Sequence, residues 1–246
     1  MKFSYRKTLS LVHRIGLGVV LVMMSGAFIG AQTIPPDVGI VTQLSGDVTY
    51  RNEEYQKTPE KAQAFMKIFQ GDYFQVEAKA TMQLVYFLNG RKETWKGPAV
   101  FIVGEAQSRA KSEKGMQAQP EVKILPSGVL DGVRRVPVLL RRAGLSRSGI
   151  MQVRGLGESS RKSKVPSEEE RAEIAMAKEN YRNLRDQTKE EDITPELYLL
   201  GILANYDQFE EMEKVIKDTL KKLPNNEVLK KLEEWVKAQK TEPTKK

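Results

Sequence analysis

The sequence predicts an α+β protein with more than one domain, in which an antiparallel β-rich part precedes an α-helical part. Short β-rich runs separated by glycine turns extend from Gly39 to Gly104. Beyond residue 166 the apolar residues recur at helical spacing instead. Strands and helices that are segregated along a chain are typical of α+β folds or of separate domains. We therefore expect an antiparallel β-sandwich or β-roll in residues 32–104 and a helical domain in residues 166–239.

An export signal is predicted in residues 1–31. Four basic residues and no acidic ones precede the apolar run, namely Lys2, Arg6, Lys7 and Arg14. Residues 15–31 are uncharged and end in small residues, which is the pattern of a secretory signal. Cleavage is expected after Ala27 or Ala31, and the alternative is retention as a short inner-membrane anchor. The predicted location is the periplasm or the outer cell envelope.

Two absences exclude whole classes of chemistry. The chain has no cysteine, and its only histidine, His13, lies in the predicted signal. Zinc sites of the usual kind, thiol catalysis, Ser-His-Asp triads and disulfides are therefore excluded from the processed chain. We expect no metal and no cofactor.

Charge is distributed unevenly along the chain. Residues 32–104 hold eight basic and eight acidic residues, residues 105–165 hold thirteen and five, and residues 166–246 hold fifteen and nineteen. This division predicts a basic connector between the β-rich and helical parts.

The β-rich part is divided by four glycine-containing turns. Gly46-Asp47 follows the first run, and Gly71-Asp72 interrupts residues 65–76. Asn89-Gly90 separates residues 81–88 from residues 91–95, a pattern that favours a hairpin with a two-residue type I′ turn. Gly97-Pro98 then precedes residues 99–103. Trp95 is expected in the apolar core.

These motifs resemble the FecR domain family over about residues 38–104. The resemblance rests on the order Gly39-x-Val41, Gly46-Asp47-Val48, Ile68-x-x-Gly71-Asp72, Phe87-x-Asn89-Gly90 and Trp95-x-Gly97-Pro98. It implies a β-rich periplasmic module without catalytic residues. The best-known members relay receptor occupancy to a sigma factor through a cytoplasmic domain, whereas only fourteen residues precede the apolar run here. Of the features that the resemblance implies, only the β-rich envelope module is therefore expected in this chain, and not the relay to a sigma factor.

The connector, residues 105–165, is predicted to be a polar linker that includes additional short strands. Residues 122–125, 133–140 and 150–153 are the candidate strands, and Pro126 and Pro137 would place them at sheet edges. Arginines supply the excess charge and are the candidate anion-binding residues, because guanidinium groups bind carboxylates and phosphates in bidentate fashion. They are Arg134, Arg135, Arg141, Arg142, Arg147 and Arg154. The alternative is a solvated strand face and a flexible tether.

Four helices are predicted in the last third. Ser167 and Glu170 form a capping box at the start of the first, and Thr194-Pro195 is expected to supply the N-cap and first residue of the second. Apolar residues at helical spacing between Phe209 and Leu223 define the third, and Asn225-Asn226 opens the fourth. The second to fourth helices resemble one tetratricopeptide repeat, or TPR. Residues 240–246 are expected to be a disordered tail.

The leading functional hypothesis is a non-enzymatic envelope adaptor that binds other envelope proteins through its β module and its TPR-like end. The alternative is a protein that binds lipopolysaccharide, wall polymer or phospholipid through the arginine-rich connector. A third hypothesis, a carboxylate-dependent hydrolase of envelope glycan, would use acid pairs such as Glu53-Glu54, Glu190 to Asp192 or Glu233-Glu234. No nucleic-acid partner is expected, because no aromatic residue is interspersed among the arginines. The oligomeric state is left open.

Overall fold

The computed structural model describes residues 36–111, 118–145 and 166–241, which contain strands in the first half and helices in the second. The strands are β1 (Asp37–Ser45), β2 (Val48–Asn52), β3 (Gln56–Lys61), β4 (Lys67–Phe69), β5 (Tyr73–Val76), β6 (Thr81–Tyr86), β7 (Arg91–Lys96), β8 (Ala99–Val103), β9 (Ser108–Ala110) and β10 (Glu121–Ile124). The helices are α1 (Ser127–Arg142), α2 (Glu168–Asp186), α3 (Thr194–Asn205), α4 (Phe209–Lys222) and α5 (Glu227–Thr241). The predicted α+β class is confirmed.

The strands form two antiparallel five-stranded sheets. Sheet A has the order β10-β7-β6-β1-β4, and sheet B has the order β3-β2-β5-β8-β9. All strand pairs in both sheets are antiparallel. Strand β10 corresponds to the candidate strand at residues 122–125, so part of the predicted connector extends sheet A.

The two sheets enclose an aromatic-rich core. Phe74, Trp95 and Phe101 are almost completely buried, and the Trp95 and Phe101 ring centroids lie 4.3 Å apart in a stacked arrangement. The side chains of this core alternate along each strand with residues that face outward, as on any pleated strand. The placement of Trp95 in the core is confirmed.

Three of the predicted glycine turns carry the chain from one sheet to the other, and one of them, Gly97-Pro98, lies between β7 of sheet A and β8 of sheet B. Gly46 lies between β1 of sheet A and β2 of sheet B, and Gly71 lies between β4 of sheet A and β5 of sheet B. Their φ angles are 74° and 87°, a region that favours glycine because it has no Cβ. The sequence pattern therefore marked corners of a sandwich, where the chain changes sheets.

The hairpin between β6 and β7 is confirmed, but its predicted type I′ turn is wrong. The connection has four residues, and the Gly90 amide donates to the Tyr86 carbonyl at 3.1 Å. Gly90 has a φ of 67°, whereas Asn89 is not among the residues with positive φ. Asn89 instead accepts a hydrogen bond from the Arg91 amide through its side chain, at 3.0 Å. Only one of the two positive φ angles that a type I′ turn requires is therefore present.

Residues 133–140 form part of helix α1, so the strand predicted there is wrong. Val129, Val133, Val136 and Leu140 are buried at spacings of three and four residues, which places them on one helical face. The run is rich in valine, and this composition obscured the helical period. Pro137 lies inside the helix, where it cannot donate a backbone hydrogen bond.

The helices and the outer face of sheet A share a second core. Ile40 of β1 and Val85 of β6 point away from sheet B and belong to the same hydrophobic cluster as the buried residues of α1 to α5. The described residues, from Pro36 onward, accordingly belong to one compact unit. Ile150–Val153, the last candidate strand, and the predicted signal and tail lie outside the described residues, apart from 240–241, which are helical.

Helix α3 lies at the centre of the helical layer. Eleven of its twelve residues are buried, and α1, α2 and α4 all pack against it. Its contact with α1 is the closest, because two glycines meet there. A Cβ atom on Gly201 would lie 1.9 Å from the Gly132 carbonyl oxygen, and one on Gly132 would lie 2.6 Å from the Tyr198 carbonyl oxygen. The two backbones are therefore in direct contact.

The four predicted C-terminal helices are all present. At the start of α2, the Ser167 side chain accepts from the Glu170 amide and the Glu170 carboxylate accepts from the Ser167 amide, so the predicted capping box is confirmed. Helices α4 and α5 pack against each other, with Phe209 and Trp235 in an edge contact at 5.8 Å between ring centroids.

Candidate functional site

The arginines predicted to bind anions lie on helix α1, and several are engaged within the protein. Arg134 donates to the Phe87 carbonyl at the β6-β7 turn and pairs with Asp131 at 3.3 Å. Arg135 lies 3.7 Å from the Glu173 carboxylate on α2. These contacts join α1 to sheet A and to α2, so both guanidinium groups act in the packing of the helical layer.

Arg142 and Arg141 differ although they are adjacent. Arg142 donates to the Ala204 carbonyl at 2.7 Å and pairs with Asp207 at 2.5 Å, where it satisfies the C-terminal end of α3. The Arg141 side chain is exposed and has no hydrogen bond or ion pair within the described part of the chain. Arg147 and Arg154 lie outside the described residues. The predicted arginines are therefore not gathered into one free cluster on α1.

A polar groove lies on the outer face of sheet A, beside the connection between α2 and α3. We call it the lysine groove, and its volume is about 180 Å³. It is lined by Gln43, Ser45, Thr81, Gln83, Lys92, Thr94, Lys96, Glu121, Lys123, Lys189, Glu191 and Asp192. Ile40 and Val85, on the same face of the sheet, are covered by helices. The groove begins where this helical cover ends.

The floor of the lysine groove is a buried ion pair between sheet and helix. The ammonium group of Lys92, on β7, donates to the Asp192 carboxylate, and their side chains are 5% and 11% exposed. Asp192 also accepts from the Thr194 amide at 3.0 Å and the Thr194 hydroxyl at 2.6 Å. Asp192 thus caps α3 from the position before its N-cap residue, Ile193. Thr194 is the first residue of the helix and Pro195 the second, so the prediction of Thr194 as N-cap and Pro195 as first residue is wrong by one position.

The charge state of Asp192 follows from these contacts. Burial alone would raise the pKa of the carboxyl group, but the charge of Lys92 and the hydrogen bonds from Lys92 and Thr194 outweigh it. The pKa of Asp192 is therefore held below its ordinary value. The Asp192 carboxylate is therefore ionised at neutral pH, and the Lys92 ammonium group balances its charge.

A second, larger groove lies where the sheet meets the last two helices. We call it the hairpin groove after the helical hairpin formed by α4 and α5, and its volume is about 840 Å³. The sheet side is lined by Gln43, Leu44, Ala62, Gln63 and Ala64, and the helical side by Gly144, Leu145, Leu223, Pro224, Asn225, Asn226, Glu227, Val228 and Lys231. Gln43 lines both grooves, so the two are adjacent.

The hairpin groove combines small, apolar and amide side chains. Ala62, Ala64 and Gly144 allow close approach of a ligand, and the leucines supply apolar surface. The side-chain amides of Gln43, Gln63 and Asn225 have no hydrogen-bond partner among the described residues. Among the described lining residues, one acidic residue, Glu227, and one basic residue, Lys231, balance each other in charge.

Several buried carboxylates lie outside both grooves and are fully engaged. Glu93 accepts from Arg91 at 2.6 Å and from the Trp95 indole at 3.0 Å. Glu196 accepts from Arg185 at 3.1 Å and from Lys222 at 2.8 Å. Such contacts hold charged groups inside a fold, where an unpaired charge would be costly. These residues are structural.

The acid pairs named for the hydrolase hypothesis lie in different settings. Glu53 and Glu54 are exposed in the turn between β2 and β3, and Glu233 pairs with Lys237 at 2.7 Å along α5. Glu190 is exposed, whereas Asp192 is bound to Lys92.

Neither the pairing of Lys92 with Asp192 nor the hairpin groove was predicted from the sequence, in which Asp192 was named only as part of an acid run. A signal for the first was present in β7, where Lys92 and Glu93 are adjacent and therefore point to opposite faces of the strand. Each of these two charged side chains must therefore face either solvent or a buried partner of opposite charge. The hairpin groove had no such signal, because it is formed by segments far apart in sequence.

Two features are absent from the described ranges. No three histidine, cysteine, aspartate or glutamate residues there are placed to hold a metal ion. None of the described helices combines the length and the apolar character needed to cross a membrane.

Comparisons of the chain with protein-family models, curated proteins and solved structures found no match. The function must therefore be inferred from the chemistry of the two grooves.

Proposed function

We propose that this protein is a non-enzymatic adaptor of the cell envelope that binds an extended segment of a partner protein in the hairpin groove. The proposal includes export by the N-terminal signal, a FecR-like β module and a TPR-like helical end. The observation that carries it is the hairpin groove itself, because residues from both halves of the chain line it. Binding there uses the β module and the helical end together.

The chemistry of the groove favours a polypeptide ligand. The amides of Gln43, Gln63 and Asn225 each offer donors and an acceptor, which match the N–H and C=O groups of an extended backbone. Leu44, Leu145 and the other apolar lining residues provide surface for alternate side chains of the ligand. The volume of about 840 Å³ lies within the range of specific ligand sites. The neutral lining favours a segment without net charge.

The arginine-based alternative receives less support from the geometry. Arg134, Arg135 and Arg142 are held by contacts with other parts of the protein, and binding a polyanion would have to compete with those contacts. Among the candidate arginines that the structure describes, only the Arg141 side chain has no partner within the protein, so it would supply a single free charge. One surface charge gives little affinity at physiological ionic strength.

Site-specific photo-cross-linking in the producing cell tests the proposal. A photoreactive phenylalanine analogue replaces Gln63 or Asn225, which lie on opposite sides of the groove. The same analogue at Thr58, on the exposed edge strand β3, is the control. We expect both groove positions, but not Thr58, to capture the same one or two envelope proteins, identified by mass spectrometry.

Blocking the groove provides the matched test of specificity. Ala64→Trp places a large side chain in the groove, and Ala78→Trp places the same side chain in an exposed turn between β5 and β6. The first variant should lose the cross-linked partner while the second keeps it. Equal capture by both variants, or capture of the same proteins from Thr58, would contradict the proposal.

A further inference from the structure

The lysine groove contains an ordered array of polar side chains across four strands. One row runs through Ser45, Thr81 and Lys96, which are paired across β1, β6 and β7. The neighbouring row runs through Gln43, Gln83, Thr94 and Glu121, which are paired across β1, β6, β7 and β10. Residues two apart on a strand point to the same face, so the two rows form one surface. The antiparallel register fixes these groups on a rigid support.

The charges of the groove are not all neutralised internally. Lys92 is paired with Asp192, whereas Lys96, Lys123 and Lys189 have no carboxylate partner in the described part of the chain. Glu121 and Glu191 also line the groove and have no basic partner there. Three free ammonium groups and two free carboxylates give the surface a net charge of about +1 at neutral pH. A ligand is thus offered strong donors and strong acceptors together.

This combination defines the chemistry of a ligand. Ammonium groups bind carboxylates or phosphates, while carboxylates, hydroxyls and amides bind the hydroxyl groups of a polyol. No aromatic side chain is found among the described residues that line the groove, so they offer no stacking surface for the flat face of a base or sugar. At about 180 Å³ the space suits one small unit of a larger molecule.

We propose that the lysine groove binds an acidic sugar unit of an envelope glycan. Lys96, Lys123 and Lys189 hold the anionic group, and the hydroxyl and amide groups of the two rows hold the sugar hydroxyls. The buried pair of Lys92 and Asp192 fixes the groove floor, because it joins β7 to the start of α3. The site uses different residues from the hairpin groove apart from Gln43, and it does not depend on the adaptor function.

Binding of defined oligosaccharides to the full chain, as isolated from the envelope, tests this site. The probes are a galacturonic acid trisaccharide, the neutral galactose trisaccharide and sodium phosphate, measured by isothermal titration calorimetry at low and physiological salt. We expect binding of the acidic trisaccharide that weakens with salt. The neutral trisaccharide and phosphate, which each lack one half of the recognised chemistry, should bind about tenfold more weakly or not at all.

A matched pair of triple variants separates a built site from general surface charge. Lys96, Lys123 and Lys189 are replaced by alanine in one protein, and Lys57, Lys111 and Lys214, which are exposed and unpaired in the described structure, are replaced in the other. Both variants lose the same charge. The first should bind the acidic trisaccharide about tenfold more weakly, and the second within about twofold of the parent protein.

Three results would overturn the proposal. They are the absence of binding by the parent protein, equal weakening in the two triple variants, and equal affinity for the acidic trisaccharide and phosphate. A circular dichroism spectrum of each variant verifies that the fold is retained. Because cross-linking at Gln63 and Asn225 reports on the hairpin groove alone, failure of this proposal is distinguishable from failure of the adaptor function.

Discussion

Replacement of Gly201 by alanine tests the contact between α1 and α3 directly. The new Cβ atom would lie 1.9 Å from the Gly132 carbonyl oxygen, whereas ordinary contact requires more than 3 Å. The obstructing atom belongs to a helix backbone, so the two helices must move apart. Forcing extra volume into a packed core costs about 1 to 3 kcal/mol. Alanine recovers up to about 1 kcal/mol through its higher helix propensity. We therefore expect a net loss of about 1 to 2 kcal/mol in the free energy of unfolding.

Gly128→Ala is the matched control, because Gly128 lies in the same layer with no atom within 4 Å of its added Cβ. This variant should be neutral or more stable by up to about 1 kcal/mol, through helix propensity alone. Equilibrium unfolding in urea, followed by circular dichroism at 222 nm, measures both. If Gly201→Ala were as stable as Gly128→Ala, the helices would not cross in direct contact, and the inferred packing of α1 on α3 would be refuted.

The remaining predictions concern buried and exposed charges. Lys92→Met leaves the Asp192 carboxylate buried without its ion-pair partner, so it should lower the free energy of unfolding in urea by about 3 kcal/mol. The double variant with Asp192→Asn should lose less stability than the sum of the two single variants, because both substitutions remove the same ion pair. Because the pKa of Asp192 is lowered in the folded state, its stabilising effect is complete above its unfolded pKa of about 4 and is lost as pH falls through the folded pKa. The stability difference between the parent protein and Asp192→Asn, measured by urea unfolding at pH 7 and pH 3, should therefore shrink at the lower pH. Arg142→Ser removes the hydrogen bond to Ala204 and the ion pair with Asp207, and it should lower the free energy of unfolding by about 1 kcal/mol. Arg141→Ser should change it by less than about 0.5 kcal/mol. Thermal melts of the two variants compare these effects.

The parts of the fold that could be predicted from sequence are those specified by local interactions. The Ser167 capping box, the glycine corners and the hairpin at Gly90 depend on residues within a few positions of one another, and all are present. The turn type at Asn89 was not predictable in the same way. Its side chain donates to the Ala106 carbonyl, a contact that depends on residues much later in the chain.

Helix α1 and the two grooves were missed because they depend on tertiary packing. The valines of α1 favour a strand by propensity, and burial against α3 outweighs that preference. The arginines of α1 formed an apparent cluster in sequence, but the helix directs Arg134, Arg135 and Arg142 toward three different partners. Lys92 and Asp192 are a hundred positions apart, and no local pattern indicates that they form a pair.

Because sheet A and the helices share one core, the order in which the chain is synthesised affects how it folds. The ribosome synthesises β1 to β10 before α3, so the outer face of sheet A around Ile40 and Val85 lacks its cover while the first half emerges. An uncovered apolar sheet face is prone to aggregation, and contacts between distant segments form slowly. The nascent protein therefore cannot complete its native structure one half at a time. We therefore expect the outer face of sheet A to complete its packing only after the helices that cover Ile40 and Val85 have been synthesised.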